Sequence, residues 1–275
     1  QLLEGLVGRG TADLVFDYAM PLSAAALQVI TGLTNMKPSE MDRVSQGMID
    51  GIANYGENAE VAAHCKNCTS SIDRHIDDRV EILRAAPDKS LISVQIEAGL
   101  SDESMRANVK LAISGGQNEP RDAIAGAAWA LILHPEQLSI VQRGGATWRA
   151  VFEEYARWIS PIGMSPRRVD RAFTYRGITF QPEERIFFMF GSANRDEAEF
   201  DAAESFNVKR DTGRAIAFGA GPHFCAGAAA SRVLIAEVAL PKLFAKLQGL
   251  RLTEEPVFDG WAFRGPKSLR VAWDV

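Results

Sequence analysis

Apolar residues recur every three or four positions over 12–33 (Leu14, Ala19, Leu22, Ala26, Val29, Ile30), the spacing of a helix face, and Gly32 is placed to stop it. Pro38, in a first helical turn behind Thr34 or Lys37, opens a second helix through Met41, Val44, Met48 and Ile52. A third, more polar helix is expected over 58–83, ahead of Pro87. Ser101 begins a long central helix that carries Met105, Val109, Leu111 and Ala112, passes through Ser114-Gly115-Gly116 and stays apolar to Leu133, where Pro135 ends it. Inside a helix each glycine costs about 1 kcal/mol and Pro120 about 3 kcal/mol relative to alanine. So costly a break predicts a functional bend, with a packing kink as the plain alternative.

Another helix is expected over 147–158, and then the texture changes. Phe173-Thr174-Tyr175 and Ile178-Thr179-Phe180 flank Arg176-Gly177, a hairpin signal, and 185–190 reads as a further strand. Residues 191–224 carry little periodicity and many Gly, Asp and Asn, a length of irregular chain usually kept for function. A last helix is expected over 225–247, interrupted by Pro241, and the tail from Leu250 alternates enough for short strands. With no repeat, linker or low-complexity tract, the pattern predicts a single domain over 1–275, mainly α with a minor β part.

Composition narrows the field by exclusion. The 275 residues are 47% apolar and 24% charged, ordinary for a globular chain. Thirty Lys and Arg against 35 Asp and Glu leave a net charge of −5, which gives no footprint for nucleic acid or an anionic membrane. No apolar run approaches the roughly 20 residues that span a bilayer, and no signal peptide opens the chain. Three cysteines are too few for a disulfide scaffold and fit a reducing cytoplasm, the expected location. Gln1-Leu2-Leu3-Glu4-Gly5-Leu6 reads as a helix already under way, so the chain is expected to be a piece of something longer.

The sharpest chemistry lies in Phe218-Gly219-Ala220-Gly221-Pro222-His223-Phe224-Cys225-Ala226-Gly227. A turn-rich loop delivers one cysteine to the start of an alanine-rich helix, where unpaired N–H groups favour a thiolate that can ligate a metal. The flanking glycines let the backbone approach a large flat partner, and His223 and a later arginine can bind carboxylates on it. A dinucleotide loop is a poor alternative, because the third glycine is missing at Phe224 and no βαβ unit surrounds it. A buried structural cysteine is the plain one.

This ten-residue pattern resembles the heme-binding signature of the cytochrome P450 family, with Cys225 at the thiolate ligand. A second match, Glu154-Tyr155-Ala156-Arg157, resembles the family's Glu-x-x-Arg, whose spacing sets Glu154 and Arg157 on one helix face as an ion pair. A third, Ala193-Asn194-Arg195-Asp196, resembles the segment before the family's irregular meander. The resemblance covers the whole chain but only the C-terminal two-thirds, roughly, of a member, the N-terminal portion being absent. It implies heme b (iron protoporphyrin IX) as cofactor. Cys225 would be the metal ligand, and Phe218, Gly219, Gly221, His223, Gly227 and Arg167 would hold the cofactor, with Arg168 competing for the place of Arg167. Ser205 stands where many members carry a third, basic partner of the Glu-Arg pair.

In the family the central helix crosses the oxygen-binding face, with an acid followed by an alcohol guiding protons. Here Asn118 takes the acid position and Glu119 the alcohol position, which makes Glu119 the candidate proton donor, oriented with Asn118, unless it pairs with Arg121 instead. Gly115 and Gly116 would clear the space where oxygen and substrate meet. The run Ile113-Ser114-Gly115-Gly116-x-Asn118-Glu119-Pro120-Arg121-Asp122 resembles a bacterial subset that includes aromatic O-demethylases acting on guaiacol-like methoxyphenols of lignin catabolism. Ile162, Met164 and Phe263 sit where the family lines its substrate pocket and suit a small, flat, neutral aromatic. The implied partners are that substrate, O2 and a separate ferredoxin or flavin reductase. Competing classes are a heme-binding sensor or carrier without turnover, and a monooxygenase for another hydrophobic substrate. His64-Cys65-x-x-Cys68 with His75 resembles a metal cluster but lacks a second close ligand pair, and reads as ordinary helix. His134-Pro135 reads as a helix end.

Overall fold

A computed structural model describes residues 1–275. The chain opens not on a helix but on turns and one 3-10 turn, Val7–Arg9. The helix expected over 12–33 starts late. Thr11–Asp13 is instead strand β1, paired antiparallel with the C-terminal tail, with Ala12 opposite Val271. Asp13 holds that corner by accepting from the Val15 and Leu269 amides, at 2.9 and 3.1 Å. A π-wound segment, Val15–Ala19, then leads into α1 (Met20–Thr31), closed by Gly32 at φ 89°. Helices α2 (Pro38–Ile52) and α3 (Ala59–Ala85) follow as expected, and the Asn58 side chain accepts from the Glu60 and Val61 amides to cap α3. The sequence pattern misses α4 (Leu91–Glu97), whose seven residues are too few to show a period.

The central helix is two. Ser101 caps α5 (Asp102–Ser114), the chain breaks at 115–117, and α6 (Asn118–Leu133) resumes. Pro120 thereby falls in the first turn of α6, where its missing N–H has no partner to lose, so the expected penalty does not arise. Pro135 ends α6 and also occupies the first turn of α7 (Pro135–Gln142), a second unforeseen element. Helix α8 (Trp148–Ile159) is capped by Thr147.

Strand β2 (Ser165–Arg168), too polar to be read from sequence, pairs antiparallel with β5 (Arg185–Phe188). Between them lies the expected hairpin of β3 (Phe173–Tyr175) and β4 (Ile178–Phe180), turned by Arg176 and Gly177 at positive φ. The strand expected over 185–190 stops at Phe188, and Phe190–Ala193 forms a short helix, α9. The last helix begins at α10 (Ala228–Arg232), passes through a π-wound stretch (Val233–Ala239) and ends as α11 (Leu240–Lys246), with Pro241 in an opening turn. Strands β6 (Arg251–Leu252), β7 (Phe258–Asp259), β8 (Gly265–Pro266) and β9 (Arg270–Ala272) complete the tail; β9 lies between β1 and β6.

Two hydrophobic clusters hold these elements. The larger, of 31 buried residues, joins β1, α6, α7, α8, the last helix and the tail. The smaller, of 16, joins α1 to α5. Helix α5 belongs to one and α6 to the other, so the break at 115–117 lies between them. No single helix is long and apolar enough to cross a membrane.

Candidate active site

The loop ahead of the last helix is a closed turn. Cys225 N–H donates to the Phe218 carbonyl at 2.9 Å, Gly219 N–H to the Ile216 carbonyl at 2.9 Å, and 221–223 form one 3-10 turn. Gly219 and Gly221 have φ of 71° and 63°, the left-handed region, and a Cβ at Gly219 would stand 3.1 Å from the His223 carbonyl. The Phe218 ring is wedged between Phe152 of α8 and the Arg232 guanidinium, whose carbon lies 4.7 Å from the ring centre. Arg232 is in turn fixed by Glu153. Cys225 is half-buried and lies three residues before α10, not at its first turn as expected, because Gly227 is the capping residue. The loop, more than the helix dipole, places the thiol. A Cβ at Gly227 would meet nothing but that sulfur, at 3.9 Å.

Glu154 and Arg157 form the expected pair, both fully buried, through two bonds of 2.7 and 2.8 Å. Arg157 also donates to the carbonyls of Asn194, Ala203 and Ser205 at 2.8, 2.9 and 3.1 Å, which pins the irregular stretch to α8. The third partner is not missing. Arg210 donates to Glu154 at 3.1 Å and to the carbonyls of Ala202 and Ser205, so Ser205 serves through its backbone and the lock is complete. Sequence comparison at position 205 alone overlooked Arg210, five residues on. Asn194, fully buried, accepts from the Ile216 amide at 2.8 Å and donates to the Ser160 hydroxyl at 2.9 Å, linking the cysteine loop to the end of α8.

At the central break the freed carbonyls are taken by hydroxyls. Ser23 of α1 donates to Gln117 O at 2.7 Å and Gly116 O at 3.3 Å, and Ser45 of α2 to Ile113 O at 3.1 Å. Gly116 serves packing, since a Cβ there would stand 2.5 Å from Ala112 O and 2.9 Å from Leu27. A Cβ at Gly115 would meet only the Leu111 carbonyl, at 3.6 Å. Asn118 donates to Gln46 Oε1 at 2.9 Å, and its own Oδ1 is buried without a donor. Glu119 does not pair with Arg121, which is engaged by Asp42 at 3.2 Å and Asp122 at 2.9 Å. One Glu119 carboxyl oxygen is buried with no partner, and loss of hydration, reinforced by Asp122, pushes the acid up to about 7.

That displacement has a sign. The unfolded chain releases this proton near 4.5 and the folded chain near 7, so the fold binds it more tightly. Its contribution to stability is complete below 4.5 and disappears as pH rises through 7. Thermal unfolding of Glu119→Gln should therefore fall less steeply with pH across that window than wild type. Equal slopes would mean Glu119 titrates normally.

The three pocket candidates converge. Ile162 and Phe263 are bridge partners across two antiparallel segments, with Gly163 N–H to Ala262 O at 3.0 Å and Arg264 N–H to Pro161 O at 2.8 Å. Met164 follows on the same half-buried segment. Gly163 is required, because a Cβ would collide with the Trp261 carbonyl. Arg167 and Arg168 point to opposite sides of β2. Arg168 is spent on Glu183 at 3.0 Å, whereas Arg167 lies over the Phe188 ring and bonds only its neighbours Ser165 and Pro166. His223 is exposed.

Cys65 and Cys68 pack on α2, where Gly47 and Gly51 leave room for their sulfurs; Arg43 donates to Cys68 Sγ at 3.3 Å. No group of three or more His, Cys, Asp or Glu side chains is placed to hold a metal ion. A metal at Cys225 must therefore bring most of its ligands with it. Heme iron does so and asks the protein for one axial donor. The glycine cradle around the thiol, with the neighbouring Phe224 exposed, fits such a flat apolar group.

Comparison with known proteins agrees. The family model described as cytochrome P450 matches residues 148–246. Pulcherriminic acid synthase of Bacillus subtilis is 28% identical over 99% of this chain and 71% of its own length. Steroid C26-monooxygenase of Mycolicibacterium smegmatis is 26% identical over 99% and 69%. Among solved structures, P450BioI, in complex with an acyl carrier protein carrying hexadec-9Z-enoic acid, superposes with a TM-score of 0.92 at 22% identity, over 99% of this chain and 72% of that one. The Bacillus subtilis bacillaene polyketide synthase cytochrome P450 PksS gives 0.87 at 25%, over 100% and 72%. The chain thus has the cytochrome P450 fold, and its residues 148–246 match the model of that family.

Proposed function

We propose that the chain is a heme b monooxygenase that O-demethylates a small methoxylated aromatic of the guaiacol type, supplied with electrons by a separate ferredoxin or flavin reductase. The observation that carries this reading is Glu119, which has one carboxyl oxygen buried without a partner at the break of the central helix. Cys225 would hold the heme iron through its thiolate. Phe218, Gly219, Gly221 and Gly227 shape the wall beside it, and His223 and Arg167 are the donors for the carboxylates of the cofactor. Bound there, heme supplies the binding and two-electron activation of O2.

The remaining work falls to side chains. Glu119, near neutral in its proton affinity, holds and hands on a proton at its carboxyl oxygen. Asn118, fixed through its amide nitrogen by Gln46, offers its free oxygen to orient the donor. Ile162, Met164 and Phe263 grip a flat ring and keep water from it. In the net reaction one oxygen atom enters a methyl C–H bond. The other leaves as water, taking two protons and two electrons from the reductase. The resulting hemiacetal sheds formaldehyde and leaves a phenol.

Relatives named for steroids and for mycinamicin favour a second reading, hydroxylation of a larger hydrophobic molecule. Titration with guaiacol and related methoxyaromatics separates the two. A shift in iron spin state, with formaldehyde formed in step with phenol, is expected. Silence across that panel sinks the demethylase and spares the monooxygenase. In the same assay Glu119→Gln should lower product formed per electron pair consumed, and unchanged coupling removes Glu119 from the mechanism.

A further inference from the structure

Three carboxyls and one guanidinium meet at the start of α6. Arg121 donates to Asp42 of α2 through Nη1 and to Asp122 through Nε, which leaves Glu119 as the acid without a cation. Asp42 Oδ1 also accepts from Gln117 Nε2 at 3.2 Å, so this one oxygen binds donors two residues before and two residues after Glu119. Asp42, Ser45 and Gln46 stand at i, i+3 and i+4, one face of α2, and all three bond the break or its flanks. This polar stripe lies beside Met41, Val44 and Met48 of the smaller core.

We propose that Asp42 is a positioning residue for Glu119. By holding Arg121 and Gln117 it keeps the only nearby cation turned away from the Glu119 carboxyl, so that the acid retains its proton for delivery. The proposal rests on the reading of Glu119 as proton donor. The charged groups acting on that carboxyl are few: Arg121 and Asp122 from its own helix, with Asp42 of α2 reaching it through Arg121. Asp50 is exposed beyond Gln46, and Lys267, after β8, acts on Asp122; α1 contributes Ser23, a neutral donor. One guanidinium already serves two carboxyls, those of Asp42 and Asp122. A charge on the third, with one oxygen buried and unpartnered, would be uncompensated, and the surplus proton stays on Glu119.

Removing Asp42 reverses this balance in two ways, since one negative charge disappears and Arg121 is released. The test is infrared titration of the protonated-carboxyl band in the heme-loaded protein, assigned by its loss in Glu119→Gln. In Asp42→Asn the midpoint should fall by about one pH unit, in Arg121→Gln it should rise by a similar amount, and Asp42→Glu should restore it. General loosening of the fold would not move the two variants in opposite directions. A band assigned to Glu119 whose midpoint is the same in wild type and Asp42→Asn overturns the proposal alone. Absence of any band that Glu119→Gln removes overturns the proton-donor reading as well.

Discussion

Serine in place of Cys225 is expected to abolish turnover while leaving the fold intact. In the reduced protein under carbon monoxide, the absorption band of thiolate ligation should give way to that of a neutral ligand or of no heme. The reason lies in how the thiol is held. The loop closes through backbone bonds, Cys225 N–H to Phe218 O and Phe224 N–H to Gly221 O, and through the Phe218 wedge against Phe152 and Arg232. None of these uses the sulfur, so the variant should melt within a degree or two of wild type. A serine hydroxyl does not ionise near neutral pH and cannot push electron density onto iron as a thiolate does. Survival of the thiolate band in Cys225→Ser would assign the ligand to Cys65 or Cys68, whose sulfurs lie against Gly47 and Gly51.

Arg157→Met should have the opposite signature, a large loss of stability. The side chain makes two bonds to Glu154 and three to backbone carbonyls of the irregular stretch, all in a site closed to water. Methionine fills the volume and satisfies none of them. Glu154 would keep Arg210 and the Asn207 amide but lose its bidentate partner. Breaking one side of a buried pair costs about 3–5 kcal/mol, against a total of about 5–15 kcal/mol for a typical domain. Urea unfolding reads this directly. A loss under about 1 kcal/mol would show that the lock contributes little and that the meander is held by its own packing. Because Asn194 ties that meander to Ile216, the variant should also lose heme more readily at temperatures where it is still folded.

What could be read from sequence divides by distance along the chain. Helices α2, α3 and α8 were legible because their signals are local: a proline, asparagine or threonine at the start and an apolar stripe behind it. The Cys225 loop and the Glu154–Arg157 pair were legible for the same reason, each being contained within ten residues. Strand β1 was not, because Thr11–Asp13 becomes a strand only by pairing with 270–272, and β2 depends likewise on β5. Arg210 reaches Glu154 across 56 residues and Asp42 reaches Gln117 across 75, spans over which composition carries no information. Pro120 marks the subtler failure. Its penalty was assigned on the premise of an unbroken helix, and the break that removes the penalty is the feature the proline was taken to signal.

The seam between the two clusters has a mechanical meaning. Rigid cores resist deformation because bending them exposes apolar surface or opens voids. At 115–117 the molecule is joined by different means: the continuous helical ladder is interrupted, and three hydroxyl-to-carbonyl bonds from Ser23 and Ser45 stand in for it. Each is worth about 1 kcal/mol net. The body carrying α2 to α5 therefore meets α6 here through polar bonds more than through packed apolar surface, the Gln46–Asn118 and Asp42–Arg121 contacts among them, beside the turn that bears Glu119. The bonds that join the two bodies at this seam are thus the same ones that surround Glu119, so a change in one alters the setting of the other.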